Sequence, residues 1–203
     1  MNLKKAFSEI SELLEILYHD REEILKLSRD IVRDCSIAIK NIHRKEFDKF
    51  HKKMDKIKIN HKNLLNLVNK NPGQFFKFLK TPEQEFAESI AFYSIISKKE
   101  LPSAIELEIN PLNYLLGLAD VIGELRRYAL DNIRNSHIED LNSILENMDE
   151  IYTNLFTLDY PTGVTQDLRH KVDVARNLIE KTRGDISLAI QMDDLKRCFE
   201  KNM

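Results

Sequence analysis

Glycine and proline are scarce in this chain, five of each in 203 residues. An all-β fold needs a turn about every 8–12 residues, and so few turn formers cannot supply them. Cysteine is scarcer still. Cys35 and Cys198 are the only two, which gives neither a disulfide framework nor metal-ligand spacing; Cys35 falls on an apolar stripe and reads as a small buried thiol. No apolar run approaches the ~20 residues of a membrane span. The basic start Met1-Asn2-Leu3-Lys4-Lys5 passes into an amphipathic, acidic stretch rather than a signal-peptide core, so cytoplasmic residence and no membrane partner are expected. A Walker A loop, G-x-G-x-x-G, H-E-x-x-H and G-x-S-x-G are all missing, which removes several common nucleotide, zinc-protease and serine-hydrolase readings. Internal repeats, low-complexity tracts and linkers are absent too.

Leu, Ile, Lys and Glu dominate, with 42% hydrophobic and 32% charged residues, the composition of a helical protein with enough apolar material for a core. The expected fold class is all-α: a single domain over residues 1–203 built as a bundle of about six or seven helices. The first forty residues read as one long helix. Ile10, Leu14, Leu17, Arg21, Ile24, Ser28, Ile31, Cys35, Ala38 and Ile42 alternate spacings of four and three, a packing seam interrupted only by Arg21 and Ser28. A second helix is expected from about Arg44 to Lys70, with Phe47, Phe50, Met54, Ile57, Leu64 and Leu67 inward, stopped by Asn71-Pro72-Gly73. A short helical piece follows over Gln74–Leu79. Thr81 as cap, Pro82 at the first position and Gln84 completing a capping box open a helix to about Lys98. Leu101–Glu108 reads as a connector with little helical content. Asn110-Pro111 starts a helix to about Asn135, and Ser136 with Glu139 forms a capping box for one reaching Leu158. After Asp159-Tyr160-Pro161 a helix is expected over Thr162–Arg183, ending at Gly184, with 185–203 a short amphipathic helix or a frayed tail.

The formal net charge of -2 hides an asymmetry. From Lys40 to Lys62, nine Lys or Arg stand against three Asp or Glu, and His43, His51 and His61 share the stretch. Such a run suggests an anion-binding surface; a plain solvated helix face is the competing reading.

Two carboxylate pairs carry the chemistry. Glu85 and Glu88 are three apart and share one helix face; Asp120 and Glu124 are four apart and share another. Both pairs are set among residues that want burial, such as Phe86, Ile90 and Phe92, or Leu116, Val121 and Ile122. Carboxylates in such surroundings need a cation or hydrogen bonds. Gly117 and Gly123 bracket Asp120 inside its helix, each costing about 1 kcal/mol relative to Ala, which makes sense where a helix or ligand comes close. Carboxylates from facing helices build metal sites. No Glu-x-x-His occurs, which disfavours a di-iron centre, and an all-oxygen set favours Mg²⁺ or Mn²⁺, the ions of phosphoryl transfer. The competing reading has Glu85 and Glu88 solvated and Asp120 paired with Arg126, Arg127 or Arg29. Asp48-x-x-His51 and Asp167-x-x-His170 have ligand-like spacing and read as surface pairs.

Several of these segments resemble the translin family, and within it the translin-associated factor X (TRAX) branch. The resemblance rests on Tyr114-Leu-Leu-Gly-Leu-Ala-Asp-Val-Ile-Gly-Glu-Leu-Arg-Arg127, on Gln84-Glu-Phe-Ala-Glu-Ser-Ile-Ala-Phe92, on Leu25-Lys-Leu-Ser-Arg-Asp-Ile31 with Ile42-His-Arg44, and on Lys181-Thr-Arg-Gly184. It implies curved all-α subunits assembled into closed, barrel-like octamers around RNA. In TRAX-type subunits it implies a metal-dependent endoribonuclease site, whose acidic residues fall here on Glu85, Glu88 and Asp120 with Glu124 beside them. The chain lacks a long insertion in the 98–110 connector and a basic nuclear-import tail, so the resemblance points to a prokaryotic, archaeal homo-oligomer and puts a separate translin-type partner in question.

The resulting expectation is an Mg²⁺- or Mn²⁺-dependent endoribonuclease on single-stranded RNA, with single-stranded DNA as a further substrate. Glu85, Glu88 and Asp120 are the catalytic metal ligands, and Glu124 is a fourth ligand or orients water. Arg44, Lys45, Lys49, Lys52, Lys53, Lys56 and Arg127 are the candidates to hold phosphates. Few exposed aromatic residues stand out in the sequence, so strong base stacking is not expected. The rivals are a non-catalytic translin-type binder of single-stranded RNA or DNA, an all-α nucleotide pyrophosphatase, which fits less well because Asp120-x-x-x-Glu124 replaces a Glu-x-x-Asp pair, and a purely structural oligomer.

Overall fold

The structure, a computed structural model, describes residues 3–201, and every regular element among them is helical. In chain order these are α1 (Leu3–His43), α2 (Phe47–Val68), the single turn α3 (Pro72–Phe75) with a 3₁₀ turn at Phe76–Leu79, α4 (Lys80–Ile96), α5 (Pro111–Arg134), α6 (Leu141–Phe156), the single turn α7 (Thr162–Thr165) and α8 (Leu168–Lys201). No described helix is long and apolar enough to cross a membrane. The chain divides into two compact units, one ending at Phe86 and the other beginning at Ala87, so the boundary falls inside α4.

In the first unit α1 packs along α2. Ile24, Ile31, Cys35, Ala38 and Ile42 on α1, and Phe50, Met54, Ile57, Leu64 and Val68 on α2, are buried, each large aliphatic or aromatic side chain contributing about 1.5–3 kcal/mol. The expected seam is therefore real from Ile24 onward. Its first half is largely uncovered: Ile10 and Leu14 stand exposed and Leu17 is half-buried, while Phe7 and Tyr18 beside the seam are also exposed, Phe7 at 70%. The second unit is built on α5, which packs against both α6 and α8. Leu116, Ala119, Leu155, Leu168 and Val172 form a buried cluster there. Phe92 of α4 meets Tyr128 of α5 edge-on, with ring centroids 6.1 Å apart.

Helix endings follow from the shortage of glycine. After α1, α4 and α5, and in the connector, the chain closes with the same paired bonds: a six-residue return such as Glu46 N–H to Asn41 O at 2.8 Å and a shorter one such as Lys45 N–H to Ile42 O at 2.9 Å. This ending wants a left-handed residue, usually glycine. Here Lys45, Lys98, Glu108 and Ser136 take it, with φ between 53° and 58°, at about 1–2 kcal/mol each.

Ser136 thus closes α5 instead of capping α6, which begins five residues later at Leu141. Thr81 does not cap either. The 3₁₀ turn runs straight into α4, leaving no open first turn at Thr81, and Pro82 sits within the first turn, where a missing N–H is harmless. Asn110 does cap α5, its Oδ1 accepting from Leu112 N–H at 2.9 Å and Asn113 N–H at 3.4 Å. The connector before it is turns only. Glu106 accepts from Ser103 N–H at 2.7 Å, which holds its carboxyl below the usual range, and Tyr114 donates to Pro102 O at 2.8 Å.

Two further expectations need correction. The segment expected as one helix from Thr162 breaks at Gln166, whose φ is 51°. Gly184 ends nothing: α8 runs through it to Lys201. Contacts on both sides carry the helix across. Arg183 grips Asp149 of α6 with both oxygens at 2.9 Å, Arg126 of α5 reaches Thr182 and Asp185, each at 2.9 Å, and Ile186 is buried. Residues 202 and 203 of the expected tail lie outside the described residues.

A Cβ at Gly184 would meet nothing within 4 Å. Gly184→Ala is therefore expected to stabilise the protein by about 0.5–1 kcal/mol, and Ser136→Gly by a similar amount through relief of its left-handed backbone. Urea unfolding followed by circular dichroism measures both; a loss of stability in either variant contradicts this account of the helix ends.

Candidate functional site

Each carboxylate pair lies on one continuous helix, as the spacing required. Glu85 and Glu88 are half-buried on α4, and Asp120 and Glu124 half-buried on α5. Their neighbours Phe86, Ala87, Phe92, Val121, Ile122 and Leu125 are almost fully buried. Glu85 belongs to the first unit, the other three to the second. The first turn of α4 is anchored by a pair that sequence reasoning overlooked. His61 Nε2 of α2 lies 3.2 Å from Glu83 Oε1, both side chains all but inaccessible, and the Phe86 ring stands edge-on to the imidazole with centroids 5.4 Å apart. His61 had read as part of a solvated basic face; its burial is visible only once α2 and α4 are folded. It anchors the first turn of α4, two residues before Glu85 and five before Glu88.

On α5, Asp120 bonds to a lysine that no motif marked. Lys171 of α8 donates to Asp120 Oδ1. Arg126 is taken by Thr182 and Asp185, and Arg127 lies 3.7 Å from Glu124 of its own helix. Asp120 and Lys171 line an open groove of about 430 Å³ with Gly123, Asp167 and His170. A Cβ on Gly123 would meet nothing within 4 Å, so of the two expectations for this glycine, a close helix or a ligand, no helix packs tightly against it, and it opens onto the groove. The only signal in the sequence that could have found Lys171 is its buried-stripe neighbour Val172, which puts α8 against α5.

The basic run divides in two. Arg44, Lys45 and Lys52 are exposed, and Lys49 pairs with Glu46 at 2.9 Å. Lys53 and Lys56 are turned instead to Asp34 of α1, at 2.8 and 2.9 Å. The Asp34 carboxylate is 1% exposed. Burial opposes its charge, yet the two ammonium groups outweigh burial and hold its pKa below the usual carboxylate value. Two of the expected phosphate contacts are thus committed to the fold. Exposed rings are commoner than the sequence suggested: Phe76, Phe156 and Tyr160 all face solvent. On α1, ligand atoms of His19, Asp20 and Glu23 lie within 4.8 Å of one another, but Lys70 already neutralises the buried Asp20 at 2.9 Å.

A family model described as the Translin family matches residues 19–183. An uncharacterized protein of Methanocaldococcus jannaschii is 40% identical over 191 residues, covering 92% of this chain and 85% of that protein. A translin-associated protein X homolog of Schizosaccharomyces pombe is 24% identical, covering 90% of this chain and 86% of its own. Among solved structures, that of AfC3PO in complex with duplex RNA superposes with a TM-score of 0.85 at 31% identity, over 92% of this chain and 97% of that one.

Because Asp34 has a depressed pKa in the folded protein, its contribution is complete above the unfolded value of about 4 and disappears as pH falls through the folded value. Asp34→Asn is expected to cost about 1–2 kcal/mol at neutral pH, and the gap from wild type should close in acid. Denaturation curves across that pH range measure it; a gap that persists unchanged in acid contradicts the ion-pair assignment.

Proposed function

The chain belongs to the translin family, and from that premise we propose that it is an Mg²⁺- or Mn²⁺-dependent endoribonuclease that hydrolyses single-stranded RNA, working inside a homo-oligomer, an octamer by family resemblance. The observation that carries the reading is the Phe92–Tyr128 contact between α4 and α5. It sits one helical turn beyond Glu88 on α4 and one turn beyond Glu124 on α5. Two carboxylate-bearing stretches are thereby tied to helices that touch next to them.

The donor set suits a hard divalent ion. It offers only carboxylate oxygens, half-buried. In this proposal Glu85, Glu88 and Asp120 would hold the ion, and Glu124 would be the fourth ligand or orient the attacking water. When bound, the ion polarises the phosphodiester and eases deprotonation of water. The residues flanking the carboxylates on α4 and α5 are buried, which fixes the backbone that carries them. Arg44, Lys45, Lys49, Lys52 and Arg127 hold strand phosphates, with Lys53 and Lys56 contributing less because Asp34 occupies them. The products are a 5′-phosphate and a 3′-hydroxyl. Support for RNA as the ligand comes from the AfC3PO neighbour, solved with duplex RNA; preference for single strands, with single-stranded DNA as a further substrate, belongs to the proposal.

One observation favours a non-catalytic RNA binder instead. Asp120 and Glu124 both have cationic partners, Lys171 and Arg127, so they are balanced without a metal. The two readings part on one experiment with end-labelled single-stranded RNA. The enzyme cuts in Mg²⁺ and stops in chelator, and Glu88→Ala or Asp120→Ala lowers the rate by about 10²-fold or more while RNA affinity in a filter-binding assay stays within about threefold. Intact RNA with wild type in either metal, or equal cutting by the variants, leaves the binder.

A further inference from the structure

The Asp120–Lys171 pair has a consequence for any cation that comes to this carboxylate. Lys171 is mostly covered, at 22% exposure, and Asp120 at 28%, so the pair is only partly screened by water and each charge strongly conditions what the other binds. Asp120 Oδ1 is the atom the ammonium occupies, and a metal ligated through that oxygen must displace it. The groove beside the pair is open, and Gly123 leaves it without a side chain on the α5 wall. A displaced ammonium therefore has somewhere to go, with His170 as a neighbour on the same rim.

Resting on the nuclease reading above, we infer that Lys171 is a resident counter-ion that competes with the metal at Asp120 and is drawn away by a phosphate of the bound strand. With no strand present, the ammonium balances the carboxylate and metal affinity is low. A phosphodiester entering the groove would offer the ammonium a second anion, leaving Asp120 Oδ1 free to hold the ion. By linkage, the strand then tightens the metal and the metal tightens the strand by the same factor. Lys171 acts here as a positioning residue: it touches Asp120 and the incoming phosphate, and governs when the metal is held.

The test is Mn²⁺ binding by the full chain, read by electron paramagnetic resonance of the free ion, with and without a single-stranded phosphorothioate oligonucleotide chosen to resist hydrolysis. Lys171→Met removes the competing charge and is expected to bind Mn²⁺ roughly fivefold more tightly than wild type in the absence of the oligonucleotide. Lys171→Arg keeps the charge and should follow wild type, which guards against a folding artefact. The oligonucleotide should tighten Mn²⁺ binding in wild type and leave Lys171→Met nearly unchanged. Mn²⁺ binding by Lys171→Met equal to or weaker than wild type, or an oligonucleotide effect that survives in it, overturns the inference. Asp120→Asn separates the two levels. If it loses Mn²⁺ while Lys171→Met behaves as wild type, the competition fails and the metal site stands. If Asp120→Asn binds Mn²⁺ as wild type does, both are wrong.

Discussion

A carboxylate pressed between helices must find a positive partner, because burying it uncompensated costs several kcal/mol. Asp34, Asp20 and Asp120 each meet this demand with a lysine from another helix: Lys53 and Lys56 of α2, Lys70 from just beyond α2, and Lys171 of α8. Glu83 meets it with His61. These pairs tie helix to helix at defined heights, which apolar packing alone does loosely. The α1–α2 pairing is indexed by Asp34, the start of α4 by Glu83, and the α5–α8 pairing by Asp120. The candidate metal ligands grow out of the same scheme. Asp120 is one more acid that owns a lysine, half-buried rather than buried and distinguished by an open groove at its side.

The extent to which the sequence disclosed this depends on the range of the interaction. Helical periodicity is local, so the seam of α1 from Ile24 to Ile42, most of the inner face of α2 and the Asn110 cap were readable; on α2 the expected Phe47 and Leu67 are only half-buried, and His61 and Val68 complete the buried face. The carboxylates at 85, 88, 120 and 124 were readable as half-buried, since their flanks are apolar. The misreadings at Ser136, Thr81 and Gly184 share one cause. Each is a residue whose usual role at a helix end was overruled by what the neighbouring segment does: a left-handed closure for α5, a 3₁₀ turn feeding α4, and Arg126 and Arg183 bridging the glycine of α8. Lys171, His61 and Asp34 could not be read as partners, because their bonds span 51, 22 and 19 residues and carry no spacing rule. The basic run was overcounted for the same reason, two of its lysines being spoken for by a residue on another helix.

Family membership and site chemistry rest on different footings. The family follows from a match across residues 19–183 and from relatives along nearly the whole chain. Hydrolysis depends on a few oxygen atoms and their counter-charges, which similarity of fold leaves open. The Lys171 pair sharpens that distinction: its bond makes Asp120 an anchor between α5 and α8, and only under the proposed mechanism does the same aspartate also become a ligand.

The uncovered first half of α1 sets a different kind of limit. An isolated stretch of roughly five turns is marginal as a helix in water when its apolar side has nothing to rest on, and Phe7, Ile10, Leu14 and Tyr18 are left in that position. Whatever shields that stripe in solution also supplies the free energy that keeps the arm helical. Where no such cover is present, the arm's helix content rests on local propensity alone, and denaturant acts on it before it reaches the packed half of α1.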